Sequence, residues 1–86
     1  MLQIGNNLGF IVENNISDIK DIGKLIKDTR KAQRLSQADL AGISGTGRRI
    51  ICEVENGKTS ISIGKLLLIL KALGLTLFAA NKRLNK

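Results

Sequence analysis

The stretch Ser36–Gly57, SQADLAGISGTGRRIICEVENG, decides the fold of this 86-residue chain. Ser36 is a good N-cap, since its side-chain oxygen can accept from an orphan N–H of the helix that follows. Leu40 and Ala41 come next, spaced to face inward, and Ala41 is small enough to let a second helix approach closely. Gly45 stands where the chain must turn sharply, and glycine reaches positive φ at little steric cost. A second helix starts near Gly47, with Ile51 and Val54 three apart on one side. Arg48, Arg49, Cys52 and Glu53 are left on the opposite side. An Ala, a Gly four residues on, then two branched apolar residues three apart is the spacing of a helix-turn-helix.

The outward residues suit double-stranded DNA. Arg48 and Arg49 carry guanidinium forks that can bind guanine O6 and N7 bidentately, and Glu53 can accept from a cytosine amino group. Cys52 is small enough to touch a thymine methyl. Thr46 and Gly47 can offer backbone N–H groups to a phosphate near a helix N-terminus. The plainer reading makes the two arginines surface charges, but their place in the motif favours recognition.

LSQADLA, the glycine turn and the closing EVENGK resemble the helix-turn-helix of the phage-repressor (Xre-type) family. The resemblance covers roughly residues 22–75. Within that family, GKLLLILKALGLTL and the short chain are most similar to HipB-type antitoxins, which pair with HipA-type kinase toxins. The resemblance implies an all-α fold of four to five helices with a short C-terminal β-strand paired across a dimer. It puts Arg48, Arg49 and Glu53 on base-reading positions, Gln37 on a phosphate clamp, and Asn56 and Lys58 on backbone contacts. It also implies an ion pair inside the domain between Arg30 and Glu55. Arg34 departs from the pattern, which usually has Gly at this helix end.

Outside the motif, residues 1–16 are expected to form an N-terminal arm with a strand-like centre at Phe10, Ile11 and Val12. A helix capped by Ser17 or Asp18 should run to about Arg34, with Ile19, Ile22, Leu25, Ile26 and Thr29 on one face. Lys20, Lys24, Lys27, Lys31 and Arg34 form a basic stripe opposite. That stripe is a solvated face, or a contact with phosphate or with an acidic partner protein. Ser62 should cap a last helix, Ile63 to Leu73, with Gly74 as its C′ residue. Residues 17–74 thus form the DNA-binding domain, and 75–86 a dimerisation strand and basic tail.

Leu66 to Leu70 are apolar around the whole helix, more than one small domain can bury, so part of this helix should meet another chain. Leu75 to Ala79 reads as a lone strand, which needs a partner. The simplest is the same strand of a second copy about a two-fold axis. Leu68, Leu75, Leu77 and Phe78 are the expected dimer contacts.

Composition narrows the chemistry. Hydrophobic residues make up 43% of the chain and aromatics 2%, so the core must be aliphatic. The net charge of +7 favours polyanions. Residues 36–58 are themselves neutral, so spacing rather than charge carries the DNA reading. With no His and one Cys, a zinc site is excluded, no intrachain disulfide can form, and no cofactor is implied. Catalysis is not expected: Ser44, Ser60 and Ser62 lack an identifiable base and a Gly-rich phosphate loop. No signal peptide or membrane span is visible, and a reducing cytoplasm is the expected compartment.

The expectation is a dimeric repressor that binds an inverted-repeat operator and restrains a HipA-like kinase toxin, contacted through the lysine stripe and Phe10–Val12. The alternatives are an orphan repressor or restriction-modification controller, and a protein-interaction module that does not bind DNA.

Overall fold

The computed structural model describes residues 2–4, 10–12 and 16–79. Its elements run β1 (Leu2–Ile4), β2 (Phe10–Val12), α1 (Ile19–Ala32), α2 (Gln37–Ser44), α3 (Arg48–Glu55) and α4 (Ile63–Ala72). The two strands pair antiparallel, with Leu2 opposite Val12 and Ile4 opposite Phe10. The strand-like centre of the N-terminal arm is therefore one half of a hairpin.

Local capping marks most of the helix ends. Asp18 caps α1, accepting from the N–H groups of Lys20 and Asp21, while Asp21 reaches back to the N–H of Asp18. Ser36 and Asp39 repeat this reciprocal capping box on α2, and Ser62 caps α4. Hydrogen bonding from Ser36 holds the Asp39 carboxyl below its usual range. At the C-terminal ends, α1, α3 and α4 close with paired bonds of the Schellman type, as in Leu35 N–H to Arg30 C=O at 3.1 Å and Arg34 N–H to Lys31 C=O at 2.9 Å.

Arg34 takes φ 60°, so it is the left-handed residue just past α1 rather than part of it. Helix one therefore ends at Ala32, two residues before the expected limit, and Arg34 leaves the lysine stripe. A left-handed C′ position normally takes Gly, and the arginine here carries the strain of a side chain at positive φ.

The core is aliphatic: Ile26, Leu40, Ala41, Ile51, Val54, Leu66, Ile69, Leu70 and Leu73. α3 packs against α1 and α2, and α2 also packs against α4. Of the expected apolar face of α1, only Ile26 is fully shielded; Ile19, Ile22, Leu25 and Thr29 are half-buried. On α4, Leu66, Ile69 and Leu70 point inward, while Leu67 and Leu68 stay 46% and 49% exposed. Residues 75–79 have no regular secondary structure within the single chain. The rest of the basic tail, 80–86, lies outside the described residues.

Gly23 sets the distance between α1 and α3. A Cβ at this position would lie 2.2 Å from the carbonyl oxygen of Val54, a backbone atom that cannot swing aside. Gly23→Ala should thus force the two helices apart and cost about 1–3 kcal/mol or more. A lowered thermal midpoint checks this; unchanged stability would mean the helices pack less closely than described.

Candidate nucleic-acid interface

The turn between α2 and α3 is built by glycine. Gly45 ends α2 at φ 73° and Gly47 precedes α3 at φ 102°. A side chain would be strained at either. Between them Thr46 is half-buried, and its hydroxyl lies 2.9 Å from that of buried Ser44. Gly47 offers no side-chain cap, so the first N–H groups of α3 are left to solvent or a ligand.

α3 is sharply two-sided. Ile51 and Val54 are fully buried and Ile50 half-buried, while Arg48, Arg49 and Cys52 are exposed. Glu53 is half-buried and already engaged. Arg49 Nε stands 3.2 Å from its carboxylate and Lys58 Nζ 3.7 Å. Glu53 is thus flanked by one cation from α3 and one from just past its end. Surface pairs of this kind are weak enough for a nucleic acid to displace. Asn56 caps the end of α3 and stays exposed, with its amide 3.6 Å from Cys52 Sγ.

Beneath this face lies a buried polar network. Arg30 Nε donates to Glu55 Oε2 at 2.6 Å, Nη2 to Oε1 at 3.0 Å and Nη1 to the carbonyl of Leu35 at 2.8 Å. The Arg30 and Glu55 side chains are 9% and 3% exposed. Burial pushes the Glu55 carboxyl up, but hydrogen bonds from Arg30 and Gln37 and the charges of Arg30 and Lys27 outweigh it, and the net shift is downward. The hydrogen bond to Glu55 holds the Arg30 guanidinium above its already high value against the opposing effect of burial.

Gln37 joins the network, its amide nitrogen 3.1 Å from Glu55 Oε1. A glutamine amide has two donor hydrogens, so one remains available outward. The carboxylate that fastens α3 to α1 thereby also orients a side chain at the start of α2. The resemblance put Gln37 on a phosphate clamp and gave no sign of this link. It also missed Gln33, whose amide donates to the carbonyl of Leu73 at 2.8 Å and ties α1 to the end of α4. A glycine inside a helical pattern was the available signal for Gly23, since it costs about 1 kcal/mol and often marks close packing.

The HTH_3 helix-turn-helix family matches residues 26–78, more than half of the chain. The chain belongs to that family. A curated relative, the uncharacterized HTH-type transcriptional regulator y4mF of Sinorhizobium fredii, is 48% identical over 54 residues, spanning 63% of this chain and 71% of its own. Among solved structures, the restriction-modification controller protein C.AhdI from Aeromonas hydrophila is 31% identical with a TM-score of 0.62, covering 67% of this chain and 88% of its own. A HipB complex with an O2 20mer has a TM-score of 0.75 at 21% identity, covering 81% and 97%. At that identity the likeness is one of fold. Among the described residues of this HTH_3 chain, no helix is long and apolar enough to cross a membrane.

Because the Glu55 carboxyl is depressed in the fold, its contribution is present above the ordinary glutamate range and is lost as pH falls through the lower folded value. Arg30 stays charged throughout. Removing one member leaves a buried charge unpaired, so Arg30→Ala or Glu55→Ala should each cost about 3–5 kcal/mol. The double variant should lose less than the two singles summed. Glu55→Gln should flatten the loss of stability below about pH 5. Additive losses and an unchanged acid limb would show that the pair is not coupled.

Proposed function

We propose that this HTH_3 protein is a sequence-specific DNA-binding transcriptional repressor that works as a homodimer on an inverted repeat. The observation that carries the reading is α3 itself. Ile51 and Val54 are fully buried while Arg48, Arg49 and Cys52 stand clear on the other side, beyond a glycine turn. In this reading Arg48 and Arg49 read bases, with Cys52 against a thymine methyl and Glu53 released from Arg49 to accept from cytosine. Gln37, Thr46, Gly47, Asn56 and Lys58 hold phosphates.

Dimerisation is supported by surface that one chain leaves uncovered. Leu67, Leu68, Leu77 and Phe78 are each about half exposed, and Leu75 is half-buried against the core. Pairing of residues 75–79 with the same segment of a second copy would supply the partner that the segment lacks in one chain. It would also hold two recognition helices at a fixed half-site spacing.

The finer reading makes the repressor the antitoxin of a HipA-like kinase, autoregulating its operon and located in the cytoplasm. Its support is the resemblance in residues 64–77 and the fold shared with HipB over 81% of the chain. A second reading, a restriction-modification controller or an orphan repressor without a toxin, draws on the 31% identity with C.AhdI. Capture of a kinase encoded by the neighbouring gene separates the two.

Arg48→Ala or Arg49→Ala should cost about 1–3 kcal/mol on the cognate site and relax preference at particular base pairs. Lys58→Ala should weaken all sequences alike. Equal losses on cognate and random duplexes for the arginine variants would sink base reading. A chain ending at Gly74 should lose both the dimer and tight binding to the full repeat. A stable monomer with undiminished binding would contradict the dimer.

A further inference from the structure

Between α1 and the end of α3 runs an open groove of roughly 360 Å³, lined by Lys20, Lys24, Lys27, Glu55, Asn56 and Gly57. It arises from the close approach at Gly23, which brings the first half of α1 against the last turn of α3. The Lys20 side chain lies across Gly57, its Cγ within 2.8 Å of where a Cβ would stand. Of the three lysines, only Lys24 is matched by a carboxylate among the described residues, Asp28 at 2.6 Å. The one acidic group in the wall, Glu55, is held by Arg30 and Gln37 and so presents little free negative charge.

We propose that this groove is a second phosphate-binding surface, which carries the DNA backbone beyond the recognition helix and onto α1. The inference rests on the DNA-binding reading above. Three observations favour a nucleic-acid backbone over an acidic protein. Asn56 and Gly57 make the groove continuous with Lys58 and the outer side of α3. Seven residues of helix rise put Lys20 and Lys27 about 10 Å apart along α1, with Lys24 between. Successive phosphates of one strand rise about 3.4 Å along the duplex axis, so a row of that length can meet more than one of them. Finally, no lining residue has an apolar side chain, whereas a protein interface has an apolar core. Lysine is a point charge that suits phosphate without demanding bidentate geometry.

The test is a salt titration of the full chain on two duplexes, one selected from a random-sequence pool and one unrelated. The Lys20→Gln, Lys27→Gln double variant should bind both more weakly. Its slope of log affinity against log salt should be smaller by about two units, near 0.9 for each lost contact. The control double variant, Lys65→Gln with Lys71→Gln on α4, removes the same charge and should leave the slope unchanged. Thermal unfolding confirms that each variant is folded. An unchanged slope in the first variant overturns the groove while leaving base recognition standing. An equal drop in both variants overturns it as a bulk charge effect. Undiminished DNA binding together with lost binding to poly-glutamate would assign the groove to an acidic protein instead. A wild-type chain that binds neither duplex overturns the parent reading as well.

Discussion

A buried carboxylate between two helices is the constraint on which this domain turns. Glu55 has lost its water, and a lone charge in that position would be costly. It is tolerated because Arg30 meets it with two nitrogens and Gln37 with a third. These partners come from α1 and from the start of α2, so satisfying one charge fixes three helices. The pair need not add much net stability. Its consequence is geometric, because few placements of α3 satisfy every donor and acceptor at once.

The same arrangement sets what the outer surface can do. With Ile51 and Val54 sealed inside, rotation of α3 is fixed and its arginines must face solvent. Gly45 and Gly47 supply positive φ on either side of Thr46, which permits the short turn. Glu53 lies between Arg49 and Lys58, so Arg49 is already paired in the absence of a ligand. Binding a base with Arg49 would exchange one weak surface contact for a desolvated, bidentate one. α4 carries the remaining demand, with buried Leu66, Ile69 and Leu70 on one side and exposed Leu67 and Leu68 on the other.

Much of this was legible in the chain. Ser36, Gly45, Ile51 and Val54 sit at offsets that local rules interpret directly, because capping, positive φ and helical period all act over a few residues. Ser62 and Gly74 bound the last helix for the same reason. The end of α1 was misplaced because Arg34 takes a left-handed conformation that glycine normally fills, so the sequence lacks the usual stop signal. A glycine within a helical pattern hinted at close packing at Gly23, but what Gly23, Gln33 and the lysine groove face could not be read, since each depends on which distant backbone lies opposite: Val54, Leu73 and Gly57 respectively. The exposed row on α3 was visible, yet the engagement of Gln37 with Glu55 was not, because it joins side chains of two helices that lie eighteen positions apart in sequence.

Recovery of bound sequences from a pool of random duplexes, using the full chain, tests most directly whether α3 is a reading surface. Successive rounds are expected to enrich one motif in two inverted copies, with centres about one helical turn or a multiple apart. Guanines should stand where Arg48 and Arg49 reach. A pool that stays random while the protein still binds DNA would contradict base recognition by α3 and leave only a basic surface.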